Sequence, residues 1–160
     1  HEMLKHGSQA PNFVSKDQNG NDISISDFLG KWVAFFWYPK ASTPGWVLEG
    51  SGFRARTQEY ENANAVIIGA SFDSVSAQLA FAQEEDFPFA LIADESREVG
   101  SAYFAERTPE MKYHEFGIPR RISYLIDPQG TVHKSYDLEE SGAELSEHAD
   151  EVLQDIIAAS

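Results

Sequence analysis

Residues 32–46 read Trp-Val-Ala-Phe-Phe-Trp-Tyr-Pro-Lys-Ala-Ser-Thr-Pro-Gly-Trp. The apolar run Trp32–Tyr38 is rich in strand-forming residues and has no polar alternation, which predicts a strand buried on both faces. Pro39 ends this run, and a polar loop up to Gly45 leads into a segment with helical periodicity. The sequence therefore predicts a strand, a short loop and a helix N-terminus in direct succession.

Such a junction has two interpretations. In open α/β sheets, ligands bind beyond the carboxyl ends of the strands. The first turn of a helix also offers an anion its unpaired N–H groups and the positive end of its dipole. The simpler interpretation is a plain connector, because every α/β unit contains such junctions. Both stay open on the residues alone.

On either side of this junction the pattern alternates between strands and helices. Ala65–Ser71 predicts a second buried strand, and a turn over 127–130 joins two further strands into a hairpin. Asn19-Gly20 predicts another hairpin turn, between strands over 12–14 and 23–26. The remaining predicted elements are strands over 89–93, 122–126 and 131–136, and helices over 47–60, 74–85, 96–104 and 144–158.

This order of elements predicts an α/β sandwich whose first core strands are parallel and whose later hairpin is antiparallel. There is no internal repeat and no low-complexity linker, so we expect a single domain over residues 1–160. Residues 1–6 are set aside from this argument as a tag or a disordered tail.

Charge narrows the range of partners. The 160 residues carry 12 Lys and Arg against 26 Asp and Glu, a formal net charge of -14. Such a surface repels nucleic acid and anionic lipid, so we expect neither as a partner. No apolar run approaches the roughly 20 residues of a membrane span and no signal peptide is recognisable, which predicts a cytoplasmic protein. The acidic run 137–155 is either a solvated face or a docking site for a basic partner.

The chain has no cysteine. This excludes disulfides, thiolate metal sites and a cysteine nucleophile. The five histidines include no helical i, i+4 pair, and the sequence has neither a serine nucleophile elbow nor a glycine-rich phosphate loop. We therefore expect no metal and no cofactor.

The junction and one basic pair supply the candidate functional residues. Thr43 offers a hydroxyl donor, although a local turn bond is the simpler role. Trp46 offers a cation–π surface to Arg120 or Arg121, or else packs in the core. Glu49 lies one turn into the helix, where a solvated side chain is the simple interpretation. Arg120 and Arg121 have two interpretations. Either one of them points inward and binds an anion, or both are solvated residues at the end of a strand.

Several short motifs are informative because of their order along the chain. They are Ala10-Pro-Asn-Phe13, Ser26-Asp-Phe-Leu-Gly-Lys31, Phe36-Trp-Tyr-Pro-Lys40, Thr43-Pro-Gly45, Gly52-Phe-Arg54, Gly69-Ala-Ser71 and Arg121-Ile-Ser-Tyr-Leu-Ile-Asp127. In this order the chain resembles a peroxiredoxin of the bacterioferritin-comigratory, or Q-type, group over nearly its whole length. The resemblance implies a thioredoxin-like three-layer sandwich, with a central mixed β-sheet, helices on both faces and an N-terminal β-hairpin.

The resemblance also implies a thiol peroxidase site. In that family a cysteine at the helix start attacks the peroxide oxygen as a thiolate, and the helix N-terminus, a Thr and an Arg lower its pKa. Carried over by motif position, Pro39 shields the site, Thr43 hydrogen-bonds peroxide, and Arg121 holds thiolate and peroxide. Glu49 matches the acidic residue often found in the following helical turn.

The cysteine positions depart from the family pattern. Trp46 stands at the peroxidatic position, and Ser51 or Ala82 stands at the resolving position. An indole has no ionisable thiol and cannot form a sulfenic acid. A serine without a strong base does not replace it. We therefore expect no thiol peroxidase chemistry, and what remains is a vestigial frame of Pro39, Thr43, Glu49 and Arg121.

Three hypotheses of function follow. The chain is a binding protein on a peroxiredoxin scaffold, with an unidentified protein partner, as a monomer or weak homodimer. Or it is an enzyme of different chemistry that uses Arg121 and the helix N-terminus. Or peroxidase activity belongs to a cysteine-containing parent, and this chain is an inactive variant, by natural loss or by substitution. Trp46 either fills the family's pocket or swings out as an apolar patch.

Overall fold

The structure is a computed structural model that describes all 160 residues. Strands and helices alternate along the chain, and three 3₁₀ turns lie between them, over Ile25–Phe28, His114–Phe116 and Leu145–Glu147. The strands are β1 (Ser15–Lys16), β2 (Asp22–Ile23), β3 (Trp32–Trp37), β4 (Ala65–Ser71), β5 (Ala90–Ala93), β6 (Ile122–Ile126) and β7 (Val132–Asp137). The helices are α1 (Pro44–Ala55), α2 (Thr57–Asn62), α3 (Val75–Glu85), α4 (Glu98–Ala102), α5 (Leu138–Ser141) and α6 (His148–Ala159).

The central sheet has five strands in the order β5-β4-β3-β6-β7. β3 pairs in parallel with β4, and β4 in parallel with β5. β6 pairs in antiparallel with both β3 and β7. The separate antiparallel pair of β1 and β2 is the N-terminal hairpin. The mixed sheet and the thioredoxin-like fold are confirmed.

β3 is buried along its whole length because both faces of the sheet are covered. Alternate side chains point to opposite faces of a strand. Ala34 and Phe36 therefore join one apolar cluster, under α1, α2, α3 and α6, while Phe35 and Trp37 join another, under α4 and the N-terminal segment. The result is three layers, with β3 carrying the chain from the middle of the sheet directly into α1.

The N-terminal hairpin is shorter than predicted and shifted along the chain. Its strands are β1 and β2 instead of 12–14 and 23–26. The Asp17 carboxylate accepts hydrogen bonds from the backbone N–H groups of Asn19 and Asn21, which fixes a tight turn and ends the ladder early. The Asn12 side chain accepts from the backbone N–H of Ser26 and so takes a polar contact that a strand partner would have made.

The helix predicted over 47–60 is two helices, α1 and α2, that meet at Arg56. Arg56 has φ −110° and ψ 12°, outside the helical range, and the Thr57 hydroxyl donates to the backbone oxygen of Arg54 at 2.9 Å. This side-chain bond competes with the backbone ladder. α1 also begins three residues earlier than predicted, since the fixed φ of Pro44 suits the first helical position.

α4 and α6 are shorter than predicted for identifiable reasons. Arg97 and Phe104, at φ 65° and 60°, are left-handed residues that bracket α4. α6 begins at His148, because the preceding turn is a 3₁₀ turn over Leu145–Glu147. α1 and α6 are the longest helices at 12 residues each. No helix in the structure has the length and apolar character needed to cross a membrane.

The segment over residues 1–6 contacts the sheet layer. The backbone N–H of Leu4 donates to the Tyr124 hydroxyl at 3.1 Å, and the backbone oxygen of Glu2 accepts from Arg120 at 2.7 Å. The Met3 side chain packs against the cluster that contains Tyr124. These contacts help to satisfy the buried guanidinium of Arg120, which is 2% exposed.

Much of the acidic run 137–155 is paired within the chain. Asp137 binds Arg120 and Glu139 binds Arg107, each at 2.8 Å. Both arginine side chains are buried, so their carboxylate partners balance charge that has been taken out of water. Further pairs join Asp155 to Lys134, Glu151 to His148 and Asp150 to Arg56. Asp137 and Glu139 therefore have a structural role, whereas the pairs at the surface contribute little to stability.

Gly50 marks a close approach between α1 and the loop before β5. A Cβ at Gly50 would lie 2.5 Å from Cζ of Phe87. A Gly→Ala change inside a helix ordinarily stabilises by about 0.5–1 kcal/mol, whereas overpacking of a core destabilises by about 1–3 kcal/mol. We expect Gly50→Ala to lower the free energy of unfolding, measured by urea denaturation.

The matched control is Ser51→Ala, at the next position in the same helix. Its hydroxyl makes only a 3.5 Å contact with Arg54, so we expect a change within about 0.5 kcal/mol. A stabilised Gly50→Ala variant would contradict the close packing of α1 on Phe87.

Candidate functional site

The loop after β3 is held by local hydrogen bonds. The backbone N–H of Ala41 donates to the Asp73 carboxylate at 2.8 Å, and the Thr43 hydroxyl donates to the backbone oxygen of Lys40 at 2.8 Å. Thr43 is the N-cap residue of α1 by its extended backbone, but its side chain makes no cap bond. The Thr43 hydroxyl therefore has the local role that the sequence favoured, while Pro39 lies half-buried at the strand end.

Trp46 fills the interior at the start of α1. Its side chain is fully buried, and its ring stacks on Tyr38 with centroids 3.9 Å apart and planes 3° apart. Phe36 lies 4.7 Å away by ring centroid, and Phe81 and Phe87 each lie at 5.7 Å. Of the two placements that the sequence left open, the indole occupies the interior and does not swing outward.

Glu49 is buried, and the interpretation as a solvated side chain is wrong. It is 0% exposed, and Oε1 accepts a hydrogen bond from Nη1 of Arg121 at 3.0 Å. Burial raises the pKa of Glu49 to about 7, and the charge and hydrogen bond of Arg121 oppose that rise. Oε2 of the same carboxylate has no hydrogen-bond partner. The side chain is therefore an ion pair partner that lies on the inner face of α1.

Arg120 and Arg121 point to opposite faces of the sheet, as neighbours on an extended chain do. Arg120 pairs with Asp137, whereas Arg121 reaches α1. A Cβ at Gly45 would lie 2.9 Å from Nη2 of Arg121, so this guanidinium rests against the first turn of α1. Neither arginine lies over the ring of Trp46, whose neighbours are aromatic. The predicted cation–π contact is absent.

The two candidate resolving positions carry no reactive group. Ser51 is half-buried and its hydroxyl oxygen contacts only Arg54, at 3.5 Å. Ala82 is 7% exposed and belongs to the same apolar cluster as Trp46. The guanidinium of Arg54 stays protonated, so it cannot take the hydroxyl proton as the base that a serine nucleophile requires.

The principal cavities of the structure lie away from the junction. Four cavities, of about 660, 590, 230 and 80 Å³, lie elsewhere, and none has Thr43, Trp46 or Arg121 in its wall. The structure also brings together no group of three His, Asp or Glu side chains able to hold a metal ion. The junction is therefore a packed connection between β3 and α1 with one buried ion pair beneath it.

A polar cluster that the sequence did not reveal lies two residues along β6 from Arg121. The Ser123 hydroxyl is 2.9 Å from Nε2 of His148, and Nδ1 of His148 is 3.0 Å from the Glu151 carboxylate. Burial lowers the pKa of His148 below its ordinary value, against the opposing influence of Glu151. The only feature of the sequence that could have pointed to this cluster is a histidine at the start of an amphipathic helix.

Comparison with known proteins agrees with this geometry. Residues 6–135 match the AhpC/TSA family. The chain is 36% identical over 135 residues to chloroplastic peroxiredoxin Q of Triticum aestivum, covering 84% of this chain and 59% of that protein. It is 34% identical over 152 residues to peroxiredoxin Bcp of Escherichia coli K12, covering 94% of each. A mutant Xylella fastidiosa PrxQ has the same fold, with a TM-score of 0.89 over 99% of both chains at 24% identity.

A thioredoxin-like sheet whose central strand leads through a Thr-Pro loop into a helix, with the arginine that precedes β6 against that helix, is the arrangement that the resemblance to peroxiredoxins implies. The chain belongs to the AhpC/TSA family, and the relatives named above are peroxiredoxins of the Q and Bcp types. The chain itself has no cysteine, and Trp46 stands where the resemblance places the reactive thiol.

Removing the indole should be costly to the fold. Trp46→Ala deletes a fully buried side chain and its stack on Tyr38, and such changes lower the free energy of unfolding by about 3–5 kcal/mol. We expect a loss of that size in urea denaturation. Trp46→Phe keeps an aromatic ring against Tyr38 and should lose clearly less. A Trp46→Ala variant within about 0.5 kcal/mol of the unaltered chain would show that the stack is not structural.

Glu49 should make the free energy of unfolding fall as the pH rises. Because its pKa is raised to about 7 in the folded chain, the folded state holds a proton that the unfolded state releases near 4.5. This contribution to stability is present below pH 4.5 and is lost as pH rises through about 7. We expect the difference in unfolding free energy between the unaltered chain and Glu49→Gln to fall between pH 5 and pH 8, by at most about 1.4 kcal/mol per pH unit.

The control is Glu61→Gln, an exposed acid on α2. It reports the effect of removing one surface carboxylate, against which the profile of Glu49→Gln is compared. A flat difference for Glu49→Gln would mean that Glu49 titrates alike in the folded and unfolded chain.

Proposed function

We propose that this chain has no thiol peroxidase activity and acts as a binding protein on a peroxiredoxin scaffold. The observation that carries the proposal is the placement of Trp46. Its fully buried indole, stacked at 3.9 Å on Tyr38, occupies the position at which the family resemblance places the attacking thiolate.

The chemistry of the site supports the inactive half of this proposal. Peroxide reduction in this family requires a thiolate that attacks oxygen, and an indole N–H provides no such nucleophile. Ser51 has no base beside it, and Arg121 is engaged by the buried Glu49 carboxylate. A different reaction that uses Arg121 and the helix N-terminus also lacks a nucleophile at this junction, and none of the four principal cavities has Arg121 in its wall.

The outer face of α1 supports the second part of the proposal, that the chain binds a partner. Pro44, Val47 and Leu48 are spaced i, i+3 and i+4, so they share one helix face. Pro44 is exposed, Leu48 is 55% exposed and Val47 is half-buried. An apolar stripe on a protein with a net charge of -14 suits a protein partner and disfavours nucleic acid. The same charge opposes close self-association, so we propose a monomer or weak homodimer.

Peroxide consumption tests the proposal. The unaltered chain is incubated with hydrogen peroxide or an organic hydroperoxide, thioredoxin, thioredoxin reductase and NADPH, and NADPH oxidation is followed. We expect no rate above that of the mixture without the chain. Robust turnover would overturn the proposal.

A double substitution tests whether the residues around position 46 can activate a thiol. Trp46→Cys combined with Ser51→Cys restores two thiols while keeping Thr43 and Arg121. We expect weak activity at best, because the space around Tyr38, Phe81 and Phe87 is shaped for an indole. Trp46→Ser with Ser51→Ala is the matched control without thiols and should show none. Full family-like activity in the reverted chain would favour the alternative that this chain is an inactive variant of a cysteine-containing peroxidase.

A further inference from the structure

Three side chains form a continuous hydrogen-bonded chain between β6 and α6. Ser123 projects from β6, and its hydroxyl oxygen is 2.9 Å from Nε2 of His148. Nδ1 of His148 is 3.0 Å from Oε1 of Glu151, one turn further along α6. Ser123 is 2% exposed and His148 is 1% exposed, while the Glu151 side chain is 48% exposed. No substrate reaches the serine, so the chain is not a hydrolytic triad.

The hydrogen-bonding partners fix the proton on the imidazole. An ionised Glu151 can only accept, so Nδ1 of His148 carries the hydrogen and donates it. Nε2 is then an acceptor, and the Ser123 hydroxyl donates to it. A neutral His148 is therefore satisfied at both nitrogens. A second proton on Nε2 would force Ser123 to accept instead, and the hydroxyl hydrogen of Ser123 would need a new acceptor in a buried site.

The groups around His148 stabilise a positive charge on its imidazole only weakly. The Phe53 ring of α1 and the Tyr136 ring of β7 meet the imidazole edge-on, at 5.9 and 5.1 Å by centroid. On α6, Glu151 is the bonded carboxylate and is half in solvent, which screens it. Asp155 is the other nearby acid, and it is already bound by Lys134 and Tyr136. Burial consequently outweighs these charges and lowers the pKa of His148.

His148 directly follows a segment that packs on α1. The 3₁₀ turn Leu145–Glu147 immediately precedes it and packs on α1 between Gly45 and Gly52. A Cβ at Gly52 would be 3.0 Å from the backbone oxygen of Ser146, and one at Gly45 would be 3.5 Å from Cδ1 of Leu145. α1 is thus held from outside by a segment whose next residue is the buried histidine.

We propose that Ser123, His148 and Glu151 form a proton-operated latch, which holds residues 145–153 against α1 and β6 when His148 is neutral and lets this segment open more often in acid. Opening brings His148 into water, where it binds a proton. The released segment uncovers the face of α1 that carries Gly45 and Gly52. The latch is a property of the fold and does not depend on the proposed binding function.

Hydrogen exchange measured by mass spectrometry tests the latch in the full-length chain. Protection factors, corrected for the intrinsic pH dependence of exchange, are compared at pH 8 and pH 5 for peptides from 138–160 and from the central strands. Each pH unit below the ordinary histidine value of about 6.5 favours the open, protonated state about tenfold. We expect protection over 145–153 to fall by up to about 30-fold at pH 5, while β3 and β4 stay protected.

Two variants separate the latch from general acid sensitivity. His148→Gln can still accept from Ser123 and donate to Glu151 but does not titrate, so its protection over 145–153 should hardly change between the two pH values. His114→Gln, at an exposed position, should behave like the unaltered chain. Equal loss of protection in His148→Gln and the unaltered chain would overturn the latch, and so would parallel loss over β3 and β4.

A measurement on the unaltered chain covers the case in which His148→Gln does not fold. The ring proton shifts of the five histidines are followed by NMR as the pH is lowered. The latch requires the His148 ring to resist protonation until the amide signals of 145–153 change. Ordinary titration near pH 6.5 with unchanged amide signals would overturn it.

Discussion

The stack of Trp46 on Tyr38 joins the end of β3 to the start of α1, and the surrounding packing follows from it. The two ring centroids lie 3.9 Å apart with the ring planes nearly parallel, and Phe36, Phe81 and Phe87 close around the indole. Aromatic burial of this kind contributes both apolar area and ring–ring attraction. Because the indole fills the interior at the first turn of α1, the loop has no pocket to enclose.

A second constraint lies beneath that stack. Glu49 places a carboxylate on the inner face of α1, and Arg121 brings the guanidinium that balances it. Removing one partner of such a buried pair is far more costly than the pair is stabilising, because the remaining charge stays out of water. This gives Glu49 and Arg121 a structural role that needs no thiol, because the pair holds α1 against the start of β6.

The sequence predicted the core strands well and the polar details poorly. β3, β4 and β6 were predicted from continuous apolar runs, because a strand that is buried on both faces consists mostly of apolar residues. The break at Arg56 was not predictable from periodicity, because it depends on a single hydroxyl-to-backbone bond from Thr57. The burial of Glu49 and the Ser123–His148 contact depend on which residues of distant elements meet. One sequence without homologues carries no record of such long-range pairs, whereas the ordered motifs did predict the fold.

The mutual fit of the aromatic rings around Trp46 limits which side chains position 46 can carry. Tyr38, Phe81 and Phe87 complement an indole, so a side chain as small as cysteine at position 46 would leave a cavity in the middle of the protein. Several neighbouring side chains would have to be enlarged or shifted to close that cavity. A new chemistry at position 46 therefore requires coordinated changes among its neighbours, and no single substitution supplies them.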